Sequence, residues 1–113
     1  MREDIKINDR AAALSDQLVA VLESVYDPEI ELDIYNLGLV YEINLDDQGV
    51  CTVVMTFTDA GCSCADTLPV DLVAALKTIE GISDARVEVV WSPDWKMTRI
   101  SRVGRITLGI SPR

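Results

Sequence analysis

The chain contains no histidine, and that absence removes more chemistry than any residue present in it suggests. Ser-His-Asp and Cys-His nucleophile pairs are excluded, as are histidine-containing zinc sets and the usual proton shuttle at neutral pH. Basic residues are also scarce: 10 Lys and Arg stand against 19 Asp and Glu, for a formal charge of −9 and a pI near 4.3. Such a charge opposes binding to nucleic-acid phosphates and to anionic membrane surfaces, so neither is an expected partner. No apolar run approaches the ~20 residues of a membrane-spanning helix. Residues 1–10 lack the apolar core of a signal peptide, which makes a cytoplasmic location the expectation. Three cysteines, two of them close together as Cys62 and Cys64, do not form a disulfide framework; reduced thiols or metal ligands are the reading.

What is present is a 113-residue chain with 49% hydrophobic residues, enough for one core but not two. Residues 1–8 read as a solvated, flexible tail, and residues 9–113 as a single domain. From Asp9, an alanine run leads into Leu14, Leu18, Val21, Leu22 and Val25 at three- and four-residue spacing, which predicts one amphipathic helix ending near Tyr26, before Pro28. The connector from Asp27 to Asp33 is extended and carries four carboxylates. Leu39, Tyr41, Ile43 and Leu45 alternate as the buried face of a strand, Asp46 to Gly49 supplies a turn, and Val50 to Phe57 forms the returning strand. Cys51 falls on that strand's apolar face and reads as a core residue.

A strand-to-helix connection follows, Thr56-Phe57-Thr58-Asp59-Ala60-Gly61-Cys62-Ser63-Cys64. The unpaired N–H groups and positive dipole end of a helix favour thiolate over thiol, which makes this the most reactive stretch in the chain. Leu68, Leu72, Val73, Leu76 and Ile79 keep helical spacing from about Asp66 to Glu80, with Pro69 in the first turn and Gly81 closing the helix. A third strand spans Ala85 to Trp91. Beyond it, Ser101 can cap a short helix ending at Gly109, the reading preferred over a strand through Ile106, Leu108 and Ile110. The order helix, strand, strand, helix, strand, short helix predicts an α+β two-layer sandwich. Its sheet is three-stranded and mixed, a hairpin plus a crossover strand, covered by helices.

Several ordered motifs accompany this pattern: Asp27-Pro28-Glu29; Asp33-Ile34-Tyr35-Asn36-Leu37-Gly38-Leu39-Val40-Tyr41; Met55-Thr56-Phe57-Thr58 with Gly61-Cys62; and Val89-Val90-Trp91-Ser92-Pro93-Asp94-Trp95 followed by Arg99-Ile100-Ser101. Together, from about Leu18 to Gly109, they resemble the SufT/PaaD-like metal–sulfur cluster biosynthetic family. The resemblance implies a non-enzymatic iron–sulfur cluster assembly or maturation factor that delivers clusters to apoproteins through a reactive cysteine. Carried over by position, it makes Cys62 that cysteine, with Thr56 and Thr58 beside it and Asp27, Glu29 and Asp33 as the acidic side of one pocket.

This chain has Ser63 and Cys64 where many relatives have proline after the cysteine. Cys64 is therefore either a second metal ligand or an incidental thiol. The cysteine-rich C-terminal region of phenylacetate-pathway relatives is missing. Two thiols cannot supply the four ligands that a cluster generally needs, so a transient cluster or iron is expected rather than a permanent cofactor. Other assembly proteins, target apoproteins or a second copy in a homodimer would complete the set. Two alternatives remain: an adaptor that binds carriers or apoproteins through its acidic surface, with the thiols incidental, and a thiol enzyme. The missing histidine and the single residue between Cys62 and Cys64 count against the enzyme.

Overall fold

The computed structural model describes residues 1–27, 30, 32–57, 64–92 and 95–109, and of residues 64–66 the backbone alone. The framework is a four-stranded mixed sheet in the order β1-β4-β5-β6, where β1 is Lys6–Ile7, β4 Val40–Leu45, β5 Val50–Met55 and β6 Asp84–Val89. Strands β1 and β4 are parallel, β4 and β5 form the antiparallel hairpin, and β5 and β6 are parallel. The hairpin turn is fixed by Asp46, whose Oδ1 accepts the N–H groups of Gln48 and Val50, both at 2.9 Å. Apolar residues that alternate along β5, Cys51, Val53 and Met55, are fully buried and continue into Phe57, as their spacing predicts.

The sheet therefore has a fourth strand. Residues 1–8, expected as a flexible tail, supply it: Lys6 and Ile7 register with Glu42 and Ile43, and Ile5 is buried. The reason lies in Asn8, whose side chain donates to the Leu45 carbonyl (2.8 Å) and accepts from the Leu45 N–H (3.1 Å), clamping the strand to β4. The same Oδ1 accepts from Ala11 N–H and caps helix α1, Asp9–Ala12. Periodicity cannot reveal a two-residue strand held by one side chain.

The single helix expected from Asp9 to Tyr26 is also divided. Helix α1 stops at Ala12 and α2 runs Ser15–Leu22, with Leu14 in a non-helical conformation between them. Packing explains the break, because α1 lies against β4 whereas α2 lies against the long helix α4 (Cys64–Leu76). Tyr26 and Asp27 instead form β2, which pairs antiparallel with β3, Leu32–Asp33.

Helix α4 begins at Cys64, so its first turn includes that residue's backbone. Pro69 consequently falls in the second turn rather than the first, and its missing N–H removes one rung of the helical ladder. In β4 a bulge between Val40 and Glu42 interrupts the expected alternation: Leu39, Val40, Ile43 and Leu45 are buried and Tyr41 is turned partly outward. After β6 come a 3-10 turn, Met97–Arg99, and helix α5, Arg102–Thr107, capped by Ser101 and followed by Gly109 at φ 77°, the helix preferred for this stretch. Among the described residues no helix is long and apolar enough to cross a membrane.

Candidate functional site

The connector that carries the acidic residues folds back on itself as the β2–β3 ladder, with Tyr26 opposite Asp33 and Asp27 opposite Leu32. Asp27 is 1% exposed and its Oδ1 accepts the N–H of Ile30 at 3.3 Å, closing the turn between the strands. Asp33 is 5% exposed and is the N-cap of helix α3, Ile34–Leu37. Its Oδ2 accepts the N–H of Asn36 at 2.9 Å, and the Asn36 amide nitrogen lies 3.0 Å from both carboxylate oxygens. Both residues are buried, and each uses its carboxylate to hold a backbone turn.

Thr56 lies immediately beyond β5 and is 1% exposed. Three backbone hydrogen bonds join it to the acidic connector. The Thr56 N–H donates to Leu39 (2.9 Å), the Leu39 N–H to Ile34 (3.2 Å), and the Ile34 N–H to Val25 (2.9 Å). Ile34 follows Asp33, and Val25 lies two residues before Asp27, so this chain of backbone bonds runs from Thr56 to the segments that carry Asp27 and Asp33, and these form one corner of the fold. In the sequence, residues 58–63 connect the segment just beyond β5 to α4. Glu29, Thr58 and Cys62 lie outside the described residues, as does the side chain of Cys64. Among the described residues no three Cys, Asp or Glu side chains form a group able to hold a metal ion.

A second network supports this corner; apart from Arg2, its members fall in the sequence motifs, where no role is assigned to them. The carbonyls of residues 35–38 each receive a donor from a distant segment. Tyr35 accepts from Arg2 (2.9 Å), Asn36 from the N–H of Ser101 (2.8 Å), Leu37 from the Trp95 indole (2.7 Å) and Gly38 from Arg99 Nε (2.7 Å). Arg99 also stacks over the Tyr41 ring at 4.4 Å and reaches the Val40 carbonyl at 3.3 Å. Ser101 Oγ donates to Asn36 Oδ1 at 2.6 Å, so Asn36 links the Asp33 cap to the C-terminal segment.

Gly38 closes α3 at φ 74°, and a Cβ there would meet the Arg99 carbonyl and Cβ. The two motifs Asp33–Tyr41 and Trp95–Ser101 are thus two halves of one contact. The clue legible in the sequence was the concentration of donors at Trp95, Arg99 and Ser101 opposite a segment that includes a glycine. Trp91, 45% exposed, lies against Phe57 at 6.2 Å between ring centroids.

These features define a small α+β domain in which a buried acidic hairpin and the end of a central strand form one corner, with a two-cysteine segment leading from it into a helix. The chain belongs to the iron–sulfur cluster assembly protein family, whose model matches residues 15–89. It is 47% identical over 87 residues to the Fe-S protein maturation auxiliary factor SufT of Staphylococcus aureus, covering 77% of this chain and 99% of that protein. It is 39% identical over 98 residues to the Fe-S protein maturation auxiliary factor YitW of Bacillus subtilis, covering 87% and 96%. In structure it is similar to a domain of unknown function from Bacillus anthracis, with a TM-score of 0.82, 39% identity, and 92% and 100% of the two chains covered.

Proposed function

We propose that the protein is a non-enzymatic auxiliary factor of iron–sulfur protein maturation, acting in the cytoplasm, that holds a cluster or its iron briefly at Cys62 and passes it to apoproteins. Membership of the assembly family and the names of its relatives support this reading. The observation that carries it furthest is the buried corner of Asp27, Asp33 and Thr56 from which the segment bearing Cys62 departs. In this reading Thr56 and Thr58 flank the thiol and Glu29 completes the acidic side. The cluster is cargo, not a resident cofactor. Cys62 and Cys64 give two sulfur ligands at most, and a client or carrier supplies the others, which lets the cargo leave. Cys64 serves as the second ligand or is incidental. A homodimer is a further way to complete the set; nucleic acid and membrane are not partners.

The test is complementation of a strain lacking the gene, read as the activity of iron–sulfur enzymes. Cys62→Ser is expected to abolish rescue while its circular dichroism and melting temperature match the parent. Full rescue by a folded Cys62→Ser protein would overturn the proposal and leave the adaptor reading. That reading would have to use carboxylates other than Asp27 and Asp33, since both are buried.

A further inference from the structure

Strand β6 is an outer strand of the sheet, and among the described residues no strand pairs with its free side. The ladder to β5 fixes which backbone groups face that side. The Val90 N–H donates to Met55 (2.8 Å) and the Asp84 N–H to Gly49 (3.4 Å), so even-numbered residues address β5. Ala85, Val87 and Val89 therefore turn their N–H and C=O groups outward, where the Ala85 N–H is held by the Asp84 carboxylate at 2.9 Å, a local bond that strand pairing would replace. A row of that kind is a template for another strand.

The sequence of β6 selects which strand. For a second copy pairing antiparallel about a two-fold axis, outward groups meet outward groups only when the axis passes through a residue rather than between two. With the axis at Val87, Val87 meets Val87 of the second copy and Ala85 meets Val89, forming the hydrogen-bonded pairs. Arg86 then lies directly opposite Glu88 of the second copy, twice, in the closer non-hydrogen-bonded pairs. Moving the axis to Arg86 opposes two arginines and sets Asp84 against Glu88; moving it to Glu88 opposes two glutamates; moving it to Ala85 sets Asp84 against Arg86 but overlaps the two strands over residues 84–86 alone. Arg86 and Glu88 are both exposed, and among the described residues neither enters an ion pair.

The other face of the strand agrees independently. A groove of about 290 Å³ between α4 and β6 is lined by Pro69, Val70, Val73 and Val87, with Val70 67% exposed. Because Val87 would sit on the axis, this apolar groove would face its own copy.

We propose that the protein self-associates through β6, in the register centred on Val87, joining two sheets into one with Arg86–Glu88 pairs on one face and the Val70 grooves closed on the other. Helix α4 connects two parallel strands and so runs opposite to β6. The starts of α4 in the two copies consequently lie at opposite ends of the paired strands. The two helix starts stay apart, so this dimer does not build one four-thiol site from both copies. The inference stands apart from the function proposed above.

Sedimentation of the full chain in reducing buffer tests it, over a concentration series. The parent is expected to dimerise. Arg86→Glu places two negative side chains opposite each other in both cross-strand pairs, and Glu88→Arg places two positive ones there. Each is expected to weaken the dimer by about tenfold or more. Mixing these two variants restores both opposite-charge pairs, so a heterodimer of near-parental affinity should form; the double reversal in one chain should dimerise as well. Circular dichroism confirms that each variant is folded. A parent that stays monomeric, or single reversals that dimerise as well as the parent, would overturn the proposal, as would a mixture that fails to associate.

Discussion

Cys51 lies within β5, and its surroundings decide its chemistry. Cys51 points into the core with no exposure, and burial pushes its thiol up from 9.0 to about 11. A thiolate is the reactive species, so Cys51 stays inert near neutral pH in the folded protein. Alkylation of the native chain followed by peptide mapping is expected to leave Cys51 unmodified until denaturant is added; labelling under native conditions would contradict its placement.

The raised value has a consequence for alkaline stability. The unfolded chain ionises Cys51 at the lower value and the folded chain at the higher one. Its contribution to stability is therefore intact below about pH 9 and falls away as the pH rises toward 11. Urea midpoints of Cys51→Ala should start lower, from the lost packing, yet decline less steeply than the parent's across that window. Cys62, in contrast, was singled out by its place between a strand and a helix and by its motif, and both signals are local in sequence.

At the scale of elements, the short helix α3 with Gly38 is the point where the N-terminal arm, the β2–β3 hairpin and the C-terminal segment meet. Ser101 has two tasks in it: its hydroxyl accepts the Gly104 N–H at 3.0 Å to cap α5 and donates to Asn36 Oδ1. Ser101→Ala removes both and is expected to cost about 1–2 kcal/mol by chemical denaturation. Hydrogen exchange should accelerate in α5 and residues 34–38 while the β4–β5 ladder keeps its protection. Uniform acceleration would mean that the C-terminal segment is not a separable clasp.

Elements whose information is local were legible in the sequence. The β4–β5 hairpin follows from alternation around Asp46 and Gly49, α4 from its leucine spacing, and α5 from its serine cap. The break at Leu14, the bulge at Tyr41 and the strand β1 were not legible, because each depends on a partner remote in the chain: α4, Arg99 and Leu45 respectively. The candidate site divides the same way. Its residues could be named from motifs, whereas the capping role of Asp33 and the support given to it through Asn36 and Ser101 are tertiary.

Taken as a whole molecule, the sheet has two outer strands that are treated differently. One side ends in β1, only two residues long and tethered by Asn8; the other ends in β6, unpaired on its outer side among the described residues and self-complementary in charge. A sheet open on a single side forms a closed pair when it self-associates, whereas one open on both sides can grow without limit. Residues 1–8 are thus expected to govern both stability and assembly. Deleting them removes buried Ile5, the pairing of Lys6 and Ile7 with β4, both Asn8 bonds to Leu45, and the bonds from Arg2 to the carbonyls of Tyr35 and Arg99. Losing one buried aliphatic side chain and several partly buried hydrogen bonds is worth at least about 3 kcal/mol. The melting temperature should then fall by roughly 10–20 °C. The deletion also bares the edge of β4, so light scattering should reveal species larger than a dimer that grow with time. Adding Arg86→Glu to the deletion should slow this growth, because it blocks the opposite edge, while leaving the lowered melting temperature unchanged. If the truncated chain melts with the parent and stays monodisperse, residues 1–8 are the dispensable tail that their composition suggests.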